Sequence, residues 1–280
     1  MSIRITSDST CDLGHLVEKY NIGILPLQVN LGDEAYRDGV DIKPQDIFDY
    51  VAKNKTLPKT SAPSIADYED FFREQLAYGD EVLHFNISAK SSGSHNMALQ
   101  AAQAFDGKVC VIDSMALSSG QGLLVLKAAE MRDQGKSLHE IEETVNALRE
   151  KVNTSFIPDR LDYLHKGGRC SMLTLFGANM LKIHPLIYMD KGKLVPGKKY
   201  RGKMNFIIKQ YIDDLKEKYP KYDKTRCFIT HSSADEELVQ TAMEKVKETF
   251  AFDEVIETVA GSIITSHCGK GTLGVLFITE

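Results

Sequence analysis

A chain of 280 residues, 42% hydrophobic and 26% charged, has the composition of a globular protein with room for one large or two medium domains. Its net charge of −5 excludes broad nucleic-acid binding, which draws on an excess of basic residues. No run approaches the roughly 20 consecutive apolar residues that a membrane-spanning helix needs.

Apolar periodicity predicts a strand over residues 3–6 and a helix over 13–20 that Asp12 could cap. Residues 23–31 read as one extended segment, and 44–53 as a helix with Pro44 in its first turn. Ser64 and Asp67 have capping-box spacing ahead of a helix that runs to residue 77. A strand at 82–87, a helix at 93–105 and a strand at 109–113 follow. Helices are predicted at 118–134 and 138–151, the second opened by Ser137 with Glu140 in capping-box spacing. This alternation implies an α/β fold, with an N-terminal doubly wound, mostly parallel sheet covered on both faces.

Beyond it the pattern changes. Residues 183–189 and 194–196 flank Asp190-Lys191-Gly192-Lys193, a hairpin signal. A helix at 204–218, a strand at 227–230, a helix at 234–250 and strands at 254–258 and 273–279 complete the chain. Hairpins mixed with helices predict a smaller C-terminal α+β domain, so the domains are drawn as 1–153 and 154–280.

Cys11, Cys110, Cys170, Cys227 and Cys268 are scattered without a Cys-x-x-Cys pair, the pattern of reduced thiols. The opening residues pass straight into a strand-like pattern and lack the apolar core of a signal peptide. A cytoplasmic location is expected.

Polar residues gather where the predicted strands end. Thr6-Ser7-Asp8-Ser9-Thr10 follows the first, residues 88–94 follow the strand at 82–87, and Asp113-Ser114 ends another. Ligands bind outside the carboxyl ends of strands in an open parallel sheet, so these ends predict one shared site. Helix capping is the competing explanation, and it accounts well for Asp12 and Asp113. Ser9 or Ser92 could join His267 and Asp8 in a nucleophilic triad, but no Gly-x-Ser-x-Gly elbow presents either serine. Gly269-Lys270-Gly271-Thr272 fails as a phosphate loop, because Gly271 separates lysine from threonine and a strand-like run follows. The histidines lack metal-ligand spacing, so no metal is expected. Lys166-Gly167-Gly168-Arg169 and Lys199-Tyr200-Arg201-Gly202-Lys203 suit an anion. Glycine lets the backbone approach, and each guanidinium offers a planar fork of donors. A solvated basic turn would leave the same pattern.

Further segments complete a family pattern. They include Ser7-Asp8-Ser9-Thr10-Cys11-Asp12-Leu13, Tyr36-Arg37-Asp38-Gly39-Val40-Asp41-Ile42 and Pro58-Lys59-Thr60-Ser61-Ala62-Pro63-Ser64. Ile112-Asp113-Ser114, Tyr163-Leu164-His165-Lys166-Gly167-Gly168-Arg169, Lys199-Tyr200-Arg201-Gly202 and His267-Cys268-Gly269-Lys270-Gly271 follow in order. Together they resemble the DegV-type fatty acid-binding proteins.

The resemblance implies two domains with a ligand tunnel between them. It implies no cofactor, but a bound long-chain fatty acid such as palmitate or stearate. It also implies a carrier, not an enzyme, with no nucleotide site of its own. The carrier presents the carboxylate to the ATP-binding subunit of a bacterial fatty acid kinase, and the acyl-phosphate feeds phospholipid synthesis. Transient contact with a membrane surface fits such a ligand. By the same resemblance Thr60, Ser61, Ser92, Gly93 and His267 hold the carboxylate. Arg169 and Arg201, set apart from those hydroxyls, meet the kinase or its phosphate. Residues 172–180 and 183–187 supply candidate tunnel lining. Burying about 15 methylenes at ~0.8 kcal/mol each gives a gross gain of order 12 kcal/mol before the costs of binding. The chain departs from the family pattern at Ala62, at Ser91-Ser92-Gly93-Ser94-His95 and at Gly269-Lys270-Gly271, which leaves chain-length and saturation preference open. Two other readings stand beside this one. One is a stand-alone acyl or phosphoryl hydrolase or transferase using Asp8, Ser9, Ser92 and His267; the other is a regulatory lipid sensor.

Overall fold

The computed structural model describes residues 2–173 and 183–280. Strand β1 (Ile3–Asp8) leads through a short turn and α1 (Leu16–Lys19) to β2 (Gly23–Leu25), which pairs with it in parallel. The extended segment over 23–31 is in fact two strands, broken at Pro26, which has no N–H for a ladder. Its second part, β3 (Gln28–Leu31), turns away with β4 (Glu34–Arg37) to build a small separate sheet. Helix α2 (Pro44–Asn54) connects this pair to its third strand, β5 (Lys59–Ser61).

Helix α3 (Ile65–Gln75) opens with the expected capping box, in which Ser64 accepts from the Asp67 N–H and Asp67 from the Ser64 N–H. Strand β6 (Glu81–Asn86), α4 (Ser94–Ala102) and β7 (Val109–Asp113) extend the first sheet to the order β2-β1-β6-β7, parallel throughout.

Helix α5 (Ser119–Asp133) is buried around nearly its whole circumference. A helix buried on nearly every side belongs between two layers, and α5 packs on both of the larger sheets. Its Leu123, Leu124 and Leu126 share one core with Ile5, Leu83 and Phe85 of the first sheet and with Phe228, Leu276 and Ile278 of the second. Helix α6 (Leu138–Leu148) covers the outer side, with the Ser137–Glu140 capping box in place.

The second sheet begins at β8 (Val152–Asn153) and β9 (Ser155–Ile157), two short strands absent from the sequence reading. Helix α7 (Asp162–Lys166) follows. Strands β10 (His184–Asp190) and β11 (Lys193–Tyr200) form the expected hairpin. After α8 (Met204–Lys218), β12 (Tyr222–Ser232), α9 (Glu236–Thr249) and β13 (Glu254–Val259) comes α10 (Ser262–Cys268), then the central strand β14 (Thr272–Thr279). The order is β11-β10-β9-β14-β12-β13, with β8 also paired to β14. Among the described strands only β12 and β13 run parallel in it, so this half mixes hairpins with one crossover.

Candidate functional site

A cavity of about 700 Å³, its open mouth included, lies where the ends of the first sheet face α10. Among the described residues its walls are Leu27, Ile87 and Leu117 from one half and Leu164, Leu194, Ile263 and Ile264 from the other. A second cavity of about 320 Å³, its open mouth included, with mainly apolar exposed surface, adjoins it and shares Leu117, Ile264 and Cys268 as walls. Of the lining expected from sequence, residues 174–180 lie outside the described residues. Ile183 and Ile187 stand behind the wall, in the cluster that backs Leu164 and Leu194.

Polar groups line the cavity as well. Thr60 sits on β5 and its Oγ1 lies 2.9 Å from His267 Nε2 on α10. Ser61, also on β5, lies 3.3 Å from both Gln28 and Asn30 of β3. Ser92 precedes α4: its Oγ accepts from the Ser94 N–H at 3.2 Å and lies 2.8 Å from Ser94 Oγ. Gly93 is the cap of α4 and has open space where a Cβ would stand, so a ligand can reach the helix end closely. All five residues expected at the head-group site line the same cavity.

His267 is held neutral. Burial first, and the Arg169 guanidinium second, push its pKa down to about 4. Its Nδ1 is buried without a hydrogen-bond partner among the described residues, because the ring stands against the Gly167 backbone. A Cβ on Gly167 would fall 2.7 Å from Nδ1 and 2.8 Å from the Tyr163 carbonyl oxygen. The first glycine of the Lys-Gly-Gly-Arg motif is therefore needed for space beside the histidine. Gly167→Ala is expected to destabilise the protein by about 1 kcal/mol through overpacking and to displace the His267 imidazole ¹⁵N resonances. An unaltered melting curve and spectrum would show that the contact is slack.

The arginines part company. Arg169 does not lie apart from the hydroxyls, as the sequence suggested. Its Nη1 donates to the Gly167 carbonyl at 2.7 Å, curling the loop back, and it lines the cavity with Thr60, Ser92 and His267. Arg201 is exposed just after β11 and is not among the cavity walls.

The hydroxyl-rich end of β1 also differs from its reading as ligand site. Thr6, Ser7, Asp8 and Thr10 are fully buried, and none of the five residues Thr6 to Thr10 lines the cavity. Asp8 accepts from Thr10 Oγ1 at 2.6 Å, the Ile87 N–H at 2.8 Å and Gln121 Nε2 at 3.0 Å. Burial pushes its carboxyl up despite those donors. Ser9 donates to Asp38 at 2.8 Å. Asp113 ties its own loop, accepting from the Met115 N–H at 2.9 Å and the Ala89 N–H at 3.1 Å. Asp12 does not cap α1: it adopts φ 48° and accepts from the Gly261 N–H instead. His267 meets Thr60, not Ser9 or Ser92, so the structure assembles no serine–histidine–aspartate triad from these residues. Among the described residues no group of three or more His, Cys, Asp or Glu could hold a metal ion, and no helix is long and apolar enough to cross a membrane.

Comparison with known proteins covers the whole architecture. A structure described as fatty acid binding of a DegV family protein from Thermus thermophilus superposes with a TM-score of 0.92 at 30% identity, covering 100% of both chains. A stearic acid-binding protein from Eubacterium ventriosum gives 0.84 at 29% identity, over 100% of this chain and 98% of that one. A fatty acid-binding protein of Thermotoga maritima is 32% identical over 287 aligned positions, 98% of this chain and 96% of the relative. The model of the family described as "Uncharacterised protein, DegV family" matches residues 2–280, and the chain belongs to that family.

Proposed function

We propose that this protein binds one long-chain fatty acid, its chain in the apolar cavity and its carboxylate at Thr60, Ser61, Ser92, Gly93 and His267. The observation that carries this reading is the Thr60–His267 pair in a cavity that leucine and isoleucine side chains also wall. An orphaned buried N–H is rarer than an orphaned acceptor, so the unpartnered Nδ1 is assigned as the bare nitrogen. Nε2–H then donates to Thr60 Oγ1, which leaves the threonine hydroxyl hydrogen free for an anion. The Ser92 oxygen already accepts a backbone N–H and can turn its own hydrogen to the same ligand. Neutral donors with the Arg169 guanidinium among the described lining residues suit a monoanionic head group whose tail is sealed from water. The relatives described as binding fatty acids, stearic acid among them, support the same ligand class.

The protein acts as a non-catalytic carrier that presents the carboxylate to an ATP-dependent kinase subunit for acyl-phosphate formation. Arg169 at the mouth and Arg201 beyond it serve the partner or its phosphate. Mass spectrometry of the purified, denatured protein tests the ligand: stoichiometric C14–C18 fatty acid is expected, and an empty cavity with turnover of acyl esters would overturn the carrier reading. Arg201→Ala tests the second half. Fatty-acid affinity should stay within about twofold while acyl-phosphate formation with kinase and ATP falls at least tenfold. Loss of lipid binding would make Arg201 a head-group or structural residue instead.

A further inference from the structure

Helix α10 carries four walls of the cavity, Ile263, Ile264, His267 and Cys268, yet its sequence is a poor helix former. Ile263, Ile264 and Thr265 are β-branched, and Gly261 at the N-cap has no side chain to satisfy the first N–H groups. Buried helix ends need such partners. They come from the other half of the molecule. Asp12 Oδ1 accepts from the Gly261 N–H at 2.8 Å, and Asp38 Oδ1 accepts from the Ser262 N–H at 2.7 Å. The fit is tight, for a Cβ on Gly261 would lie 3.2 Å from an oxygen of each carboxylate.

The remaining oxygens are occupied as well. Ser118 Oγ donates to Asp12 Oδ2, and Ser9 Oγ donates to Asp38 Oδ2 at 2.8 Å. Neither aspartate forms a salt bridge with a lysine or arginine among the described residues, so each carboxylate leans on hydroxyl and backbone donors. Burial raises both carboxyl pKa values, that of Asp12 to about 8.

We propose that Asp12 and Asp38 are positioning residues for the ligand head group: by capping α10 across the seam between the halves they hold His267 opposite Thr60. The inference rests on the fatty-acid reading above. His267 lies five residues beyond Ser262, about 7.5 Å along the helix axis, so loosening the first turn moves the imidazole directly.

The test uses the full-length protein with Asp12→Ala, Asp38→Ala and the isosteric Asp12→Asn and Asp38→Asn, titrated with hexadecanoate and with methyl hexadecanoate. The alanine variants should bind the acid about tenfold more weakly, the loss of one good hydrogen bond at the head group, and the ester within about twofold of wild type. The asparagine variants keep one acceptor oxygen and should recover most of the loss. Equal weakening of acid and ester would overturn the proposal, as would an unchanged acid affinity. His267 ¹⁵N resonances of the ligand-free protein separate the two readings. Should wild type bind neither ligand, the fatty-acid reading fails. A His267 signal unmoved by Asp12→Ala defeats the positioning role on its own. Ser118→Ala, which removes the hydroxyl that donates to Asp12 Oδ2, gives a milder form of the same measurement should an alanine variant not fold.

Discussion

His267→Ala is expected to weaken binding of a C16 fatty acid between about 10- and 100-fold, the range of a hydrogen bond to a charged group. Two effects add. The imidazole is lost from the cavity wall, and Thr60 loses the partner that aims its hydroxyl, 2.9 Å away. The methyl ester of the same acid should lose less than about threefold, and an unchanged acid affinity would remove His267 from the head-group site. The same histidine sets a pH signature. Its pKa falls from the ordinary 6.5 to about 4 on folding, so the unfolded chain takes up a proton before the native one. The stability this supplies is complete above pH 6.5 and is lost as pH falls from 6.5 to 4. Because the native ring does not titrate between pH 8 and 6, His267 itself adds no pH dependence to fatty-acid affinity across that interval. In His267→Ala the loss of stability between pH 6.5 and 4 should be shallower.

Ile264→Trp is expected to cut the affinity for C16 and C18 acids more than a hundredfold while changing that for C10 less than about fivefold. Ile264 stands in the wall common to the two apolar cavities, together with Leu117 and Cys268. If the acyl chain extends from the first cavity into the second, an indole at this shared wall denies water-free space to about four methylenes, ~3 kcal/mol at ~0.8 kcal/mol each. The head-group contacts are untouched, so a loss that is equal at every chain length would mean that the acyl chain does not take this route. Isothermal titration across even chain lengths reads the outcome directly.

Much of the architecture is written in local patterns. The β-α-β rhythm of the first half, the Ser64–Asp67 and Ser137–Glu140 capping boxes and the 190–193 hairpin all follow from neighbours a few residues apart. The head-group residues were legible only by resemblance, because hydroxyls and a histidine separated by over two hundred positions have no common period. The seven-residue α10 left no trace, since Ile-Ile-Thr reads as strand. Its first N–H groups are capped by two carboxylates from the start of the chain. The polar run Thr6 to Thr10 misled for the matching reason. A buried network and a ligand site use the same residue types, and only burial tells them apart.

The sequence by itself determined the order of elements, the first parallel sheet and the residue types able to hold an anion, because propensity, capping and periodicity act over single turns and strands. Tertiary structure decided which of those residues share a cavity. It brought Arg169 to the hydroxyls, left Arg201 outside, and turned Asp12 from a local cap into a cap for a distant helix. Contacts of this kind depend on how two sheets close around α5, a long-range packing outcome that no local pattern encodes.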